Sequence, residues 1–283
     1  MPIEHISDTA RWVAVYRAME SERPDRLFND PFARRLAGIE GETIVKALPG
    51  ARQMAWAMIV RTAVFDELIL QTIERDRIDL VVNLAAGLDA RPWRLTLPRS
   101  LRWVDVDLPG ILDHKRHVIG DAKPACSYEA VSADLTDGAV RDALFSKLGA
   151  GSTRALVVTE GLLVYLTPEQ VGSLATSLSR APSFRWWIID LASPQLLAMM
   201  LRSFGKGLAQ ANAPFKFAPA EGTAFFLPFG WKESRFCSTW DDSLRLDRQI
   251  RFAWLYRLIG RFASKERREV ARRFSGNVLL ERV

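Results

Sequence analysis

The stretch VVNLAAGLDARPWRL, residues 81–95, begins as an apolar, β-branched run, breaks at Ala85-Ala86-Gly87 and resumes with Asp89, Arg91 and Arg94. A short run of this kind closed by a glycine reads as a buried strand turning into a helix. Gly87 supplies the backbone freedom and close approach that such a turn needs. The residues after this glycine decide which ligand the turn suits.

Outward from this turn, short strands alternate with helices. LVVNL (80–84) is the first strand and RWVDVD (102–107) the second, with Pro109 opening a helix through Val118. YEAVSAD (128–134) reads as the third strand, with TDGAVRDALFSKL behind it as a helix. ALVVTE (155–160) is the fourth, PEQVGSLATSLSR a helix, and RWWIIDLA (185–192) the fifth. Apolar runs each followed by a helix predict an α/β fold: a doubly wound, mostly parallel sheet with helices on both faces. Trp186 and Trp187 should point to opposite sides of that sheet, as core and rim. Upstream, Thr9 to Met19 and Met54 to Arg75 have helical spacing, and Asp30 is placed to cap a helix opening at Pro31. After Ser193 the pattern is less regular, though NVLLERV at the C-terminus fits a last strand. The chain reads as a single domain over 1–283: an N-terminal helical lid or extension (1–78), a cofactor-binding α/β core (79–192) and a C-terminal acceptor-side region (193–283).

In such a sheet ligands lie beyond the carboxyl ends of the strands, at the turn after the first. Asp107 closes the second strand twenty residues after Gly87, a spacing that suits an acid accepting hydrogen bonds from a ribose diol. An adenine dinucleotide and S-adenosylmethionine both carry that ribose. A dinucleotide wants G-x-G-x-x-G, so that its pyrophosphate rests on the helix N-terminus. Lining Gly87 up with the middle glycine puts Ala85 and Ala90 at the other two places, and Asp89 would set a negative charge beside the diphosphate. S-adenosylmethionine has a sulfonium and an ammonium and no phosphate, so a turn followed by acids suits it better.

Composition narrows the class further. The 283 residues are 48% hydrophobic and 25% charged, and no uninterrupted apolar run approaches the roughly 18 residues of a membrane span. MPIEHISDTARW lacks the basic start and apolar run of a signal peptide, so a cytoplasmic location is expected. Cys126 and Cys237 have no metal-ligand spacing and read as reduced, buried thiols. His114 and His117 lack a third ligand for zinc, and no metal is expected. The net charge is +6, and from Arg248 to Val283 there are ten Arg or Lys against three Glu, so the remainder is close to neutral. RLIGRFASKERREVARRF reads as a helix with a solvated basic face; attraction to an acidic partner is the functional alternative. Nucleic acid is not an expected partner.

NLAAGLDARPWRL, VDVDLPGILDHK, SADLTD and VVTEGLLVYLTPEQV, with TARWVAVYRAMESERPDRLFNDPFA near the N-terminus, resemble the leucine carboxyl methyltransferase-like family. This group of S-adenosylmethionine-dependent O-methyltransferases includes polyketide O-methyltransferases, and the similarity runs from about Asp8 to Trp231. The resemblance implies a class I methyltransferase-like Rossmann fold and a set of cofactor residues. Ala85 and Gly87 match the turn under the cofactor, where the first place is commonly glycine. Asp107 matches the acid that holds the ribose, and Asp134 and Leu135 match the pair beside the adenine. Glu160 faces the methionine part and its ammonium. Arg61 matches the arginine that meets the methionine carboxylate, a use suited to a forked donor. A basic residue that some members carry before the D-P-[FY] element has no equivalent beside Asp30-Pro31.

Several of these residues also have structural readings. Asp89, Arg91 and Arg94 can brace the turn as an ion-pair network, and Asp105 reads as a structural or surface acid. Asp134 can cap a helix starting at Thr136. Arg61 can pair with Asp66 or Glu67 on its own helix. Methyl transfer from a sulfonium is an in-line displacement, so alignment and exclusion of water are the main demands. A carboxylate acceptor needs no base at neutral pH, whereas a phenol gains from one. Tyr165 is the candidate catalytic residue, and GTAFFLPFGW (222–231) the candidate wall for a small apolar or aromatic acceptor. The expected activity is therefore S-adenosylmethionine-dependent O-methylation of a carboxylate or hydroxyl. The rival classes are a nicotinamide-dependent oxidoreductase and a non-catalytic nucleoside-binding scaffold.

Overall fold

The computed structural model describes residues 8–47, 50–210, 214–250, 253–255, 258 and 263–283. Its strands are β1 (Leu80–Leu84), β2 (Arg102–Asp107), β3 (Ser127–Ser132), β4 (Ala155–Thr159), β5 (Phe184–Ala192), β6 (Trp231–Ser238) and β7 (Ser275–Arg282). They form one sheet in the order β3-β2-β1-β4-β5-β7-β6. The first five run parallel, and β7 enters antiparallel between β5 and β6. The doubly wound α/β sheet expected from the sequence is the one observed, extended at one edge by the antiparallel pair β7 and β6.

The helices are α1 (Asp8–Ser21), α2 (Ala33–Ala47), α3 (Ala51–Asp76), α4 (Arg91–Arg94), α5 (Pro109–Ile119), α6 (Gly138–Ala150), α7 (Pro168–Arg180), α8 (Pro194–Gln210), α9 (Thr239–Arg245) and α10 (Lys265–Arg272). The pleat sorts the strand side chains onto two cores. Val81, Trp103, Leu156 and Ile188 pack with Val64, Phe65 and Leu68 of α3. Val82, Val157 and Trp187 pack on the other face with Phe145 of α6 and Leu174 of α7. A third cluster joins α1, α2 and α3 to Leu88 and Ile111, which fixes the N-terminal helices above the carboxyl ends of β1 and β2.

Local chemistry moves some boundaries. α6 starts at Gly138 with Asp137 as its cap, not at Thr136 with Asp134, because the Asp137 carboxylate takes the Ala139 and Val140 amides. α2 starts at Ala33, two residues after Pro31, while Asp30 keeps its capping contact: one carboxylate oxygen accepts the Phe32 N–H at 3.0 Å and the other pairs with Arg17 at 2.8 Å. Trp186 is buried like Trp187, with α3 covering what would have been a rim. The helix α8 and the edge strand β6 fall in the stretch whose sequence pattern is irregular. The basic C-terminal helix is present as Lys265–Arg272, capped by Ser264 and with none of its residues buried. Residues 257 and 259–262 of that expected helix, and His5, lie outside the described residues. No described helix is long and apolar enough to cross a membrane.

Candidate functional site

A cavity of about 520 Å³ opens at the carboxyl ends of β1, β2, β4 and β5, with α1 and α3 lying over it. Five carboxylates line it (Asp89, Asp107, Asp134, Glu160 and Asp190), against Arg17, Arg61, Arg91 and Lys216. All of the cofactor residues expected from the sequence line this one cavity, as does Tyr165.

The turn after β1 is held from below. Ala85 and Gly87 both take positive φ, at 51° and 53°. A side chain on Gly87 would bring its Cβ to 3.2 Å from Ala10 Cβ on α1. The Gly87 N–H donates to Asp107 at 2.6 Å, and Leu108 N–H donates to the other carboxylate oxygen at 2.7 Å. Burial raises the Asp107 pKa above the ordinary aspartate value despite those two donors. The N–H groups of Ala86, Gly87, Asp89 and Arg91 are all used within the protein. The turn therefore lacks the row of free donors on which a pyrophosphate rests.

Across the cavity, Glu160 follows β4 directly and accepts from Arg61 at 3.0 Å and Arg91 at 2.8 Å. Burial works to raise its pKa, but the two guanidinium groups outweigh burial and hold it below the ordinary glutamate value. Arg61 also donates from Nη1 to Asp190 at 3.2 Å. Its partners are thus 99 and 129 positions away, not the neighbouring Asp66 or Glu67 of its own helix. Asp190 further accepts from the Gly161 N–H at 2.7 Å. Arg61 Nη2 has no hydrogen-bond partner among the described residues, so one edge of the guanidinium stays open.

Asp134 is exposed beyond β3, where one carboxylate oxygen takes the Thr136 N–H at 2.8 Å and its hydroxyl at 2.7 Å. These bonds lower its pKa. Leu135 lies beside it on the same cavity wall. Tyr165 ends a single 3-10 turn after Glu160, with its ring 5.4 Å from that of Phe215. Burial raises the phenol's pKa, so it keeps its proton at neutral pH.

The bracing network after the turn is present and reaches further than expected. Arg91 pairs with Asp66 at 2.6 Å and Asp89 at 2.8 Å, and Arg94 pairs with Asp66 at 2.6 Å. Arg91 and Asp89 also line the cavity, so this network forms part of its wall. Asp105 is a buried structural acid: Trp103, Tyr128 and Asn83 donate to it at 2.9, 2.9 and 3.0 Å, and Lys115 pairs with it. The aromatic stretch at 222–231 departs from its expected place. Phe226 is fully buried edge-on against Trp187, in the core cluster that also holds Trp231, and neither it nor Phe225 lines the cavity. Apolar walls come instead from Met54 and Met58, Leu196 and Met200, and Phe215. Asp190, Arg17 and Asn277 also line the cavity, and sequence reasoning misses all three; a carboxylate inside the apolar run WWIIDLA is the available signal for Asp190. No group of three or more metal-binding side chains occurs among the described residues.

Fold and site together define an α/β protein with an acid-lined crevice at the turn after its first strand. Two solved structures share the fold: a DUF574 family protein from Streptomyces avermitilis and a candidate methyltransferase from Thermobifida fusca. Both superpose with a TM-score of 0.61, at 13% and 16% identity, and cover 97% and 100% of this chain and 97% and 96% of their own. The fold is that of the class I methyltransferases. The profile of the leucine carboxyl methyltransferase family matches residues 10–179. A candidate S-adenosyl-L-methionine-dependent methyltransferase from Mycolicibacterium gilvum is 34% identical over 257 residues, covering 81% of this chain and 83% of its own length. One from a Parafrankia species is 38% identical over 197 residues, covering 65% of this chain, and the match spans 63% of that relative's length. The chain belongs to the leucine carboxyl methyltransferase family.

Proposed function

We propose that this protein is an S-adenosylmethionine-dependent methyltransferase that methylates an oxygen of a small apolar or aromatic acceptor. The observation that carries the reading is the pairing of two acid-bearing walls across one cavity: Asp107 under the Gly87 turn, and Glu160 with Arg61 opposite it. When bound, the cofactor supplies an electrophilic methyl on a sulfonium. In this reading the Asp107 carboxylate accepts from the ribose diol with the lone pairs that the two backbone donors leave free. Asp134 and Leu135 hold the adenine edge, and Ala85 and Gly87 form the floor. Glu160 takes the ammonium, and the open edge of Arg61 takes the methionine carboxylate. The helices over the cavity act as a lid that excludes water, and the region after β5 faces the acceptor.

In-line transfer would form the oxygen–methyl bond as the cofactor's carbon–sulfur bond breaks, so the task of the residues around the cavity would be to align the acceptor oxygen with that methyl group. A hydroxyl acceptor would also give up its proton, which one of the carboxylates lining the cavity would take. Tyr165 keeps its own proton and therefore serves as a donor and a wall on the acceptor side, not as a base. Isothermal calorimetry with S-adenosylhomocysteine and NAD tests the reading: the nucleoside binds and the dinucleotide does not. Binding of NAD in its place would overturn it.

A further inference from the structure

Asn277 lies in β7 opposite Asp190 on β5 and Cys237 on β6, on the sheet face covered by α3. It is 1% exposed and lines the cavity, yet its amide nitrogen is buried without a hydrogen-bond partner among the described residues. An unpaired buried donor costs folding free energy, so its retention calls for a role outside the fold. Ser275, two residues before it on the same strand, and Thr239 also line the cavity, with their hydroxyls 2.7 Å apart. The apolar walls from α3 and α8 complete this end of the cavity.

Charge decides which group would suit the subsite. Arg61 is already shared between Glu160 and Asp190, and Arg91 between Asp66, Asp89 and Glu160. Arg17 pairs with Asp30, and Lys216 is exposed. A carboxylate placed at Asn277 would therefore meet Asp190 with no uncommitted buried cation to offset it. A hydroxyl is neutral and both donates and accepts, as a carboxamide does.

We propose that Asn277, beside the Ser275–Thr239 hydroxyl pair, reads the acceptor's oxygen group, and that this group is a neutral hydroxyl on an apolar or aromatic body and not a carboxylate. The proposal rests on the methyltransferase reading of the cavity. It is tested with two probes of matched shape, 2-naphthol and 2-naphthoate, titrated into protein saturated with S-adenosylhomocysteine. Wild type should bind 2-naphthol at least about tenfold more tightly than 2-naphthoate. Asn277→Leu should weaken 2-naphthol about tenfold, the size of one hydrogen bond, and leave S-adenosylhomocysteine affinity unchanged. The same variant should melt at a higher temperature without ligand, because it removes an unsatisfied donor, whereas a purely structural amide would give a lower one. Unchanged naphthol affinity in Asn277→Leu, or its lower melting temperature, would overturn the role of Asn277. Equal or tighter binding of naphthoate, or binding of neither probe by wild type, would overturn the acceptor class. Failure of wild type to bind S-adenosylhomocysteine would instead bring down the parent reading.

Discussion

The Gly87 N–H donates to the Asp107 carboxylate at 2.6 Å across twenty residues of chain. This bond ties the turn after β1 to the end of β2, the two places where a nucleoside's sugar would be held. The arrangement requires Asp107 to be ionised, since a carboxylate accepts both backbone donors and still has lone pairs to offer. Burial opposes that ionisation and raises the pKa.

Affinity for S-adenosylhomocysteine is therefore expected to fall on acidification at a pH above the ordinary aspartate range. Asp107→Asn should weaken binding roughly 10–100-fold at neutral pH, the size of a charge-assisted hydrogen bond, and should abolish that acid limb. Folding stability runs the other way for this residue. With its folded pKa raised, its contribution is fully present below the ordinary value and declines as pH rises through the raised one. Calorimetric titrations over a pH series check this, and wild-type affinity in Asp107→Asn would refute it.

Ala85 and Gly87 make a pair of opposite predictions. Ala85 sits in the left-handed region at φ 51°, which costs a residue with a Cβ about 1–2 kcal/mol. Ala85→Gly relieves this at the expense of unfolded-chain entropy, so urea unfolding should show a net gain of about 0.5–1 kcal/mol. Gly87→Ala should instead cost about 1–2 kcal/mol, because it adds the same strain and presses on Ala10 of α1. If the two substitutions shifted the urea midpoint in the same direction, the backbone account of this turn would be wrong.

The sequence makes the sheet legible wherever strands are buried on both faces. LVVNL and ALVVT are buried throughout, and a strand of that kind is apolar along most of its length. β6, WKESRFCS, escapes because it is an edge strand with exposed polar residues inside it, so neither an apolar run nor a clean alternation marks it. The site is half legible for a similar reason. Gly87 and Asp107 announce themselves by local spacing. The partners of Arg61 depend on where α3 crosses the sheet, and nothing within its own helix points to Glu160 or Asp190. Asn277 has no motif at all and becomes visible only when its unpaired amide nitrogen is located.

The aromatic stretch at 222–231 has the composition of an acceptor wall, and its burial predicts a different phenotype. Phe226 meets Trp187 edge-on at 5.4 Å and Phe225 at 5.2 Å in the core opposite α3. Phe226→Ala should destabilise the protein by about 3–5 kcal/mol, the usual cost of deleting a buried phenyl ring. Binding of S-adenosylhomocysteine by the fraction that remains folded should be unaltered. A Phe226→Ala protein of undiminished stability would contradict the core placement.

Glu160 joins Arg61 and Arg91 in a group where removing one charge leaves the others uncompensated. Its side chain is 14% exposed, and that of Arg61 13%, so solvent screens the pair only weakly. Glu160→Gln should cost about 3 kcal/mol at neutral pH. The guanidinium groups hold the folded-state pKa of Glu160 below its ordinary value. Its contribution is thus fully present above the ordinary glutamate range and is lost as pH falls through the folded value. The gap in melting temperature between wild type and Glu160→Gln should consequently be widest near neutrality and close on acidification. Arg61→Lys offers a companion test, since one ammonium cannot reproduce the fork that bridges Glu160 and Asp190, and it should lose most of the same stability. Parallel melting curves for wild type and Glu160→Gln across the whole acid series would show that this group is not the source of the acid sensitivity, and would separate Glu160 from the electrostatics of the cavity.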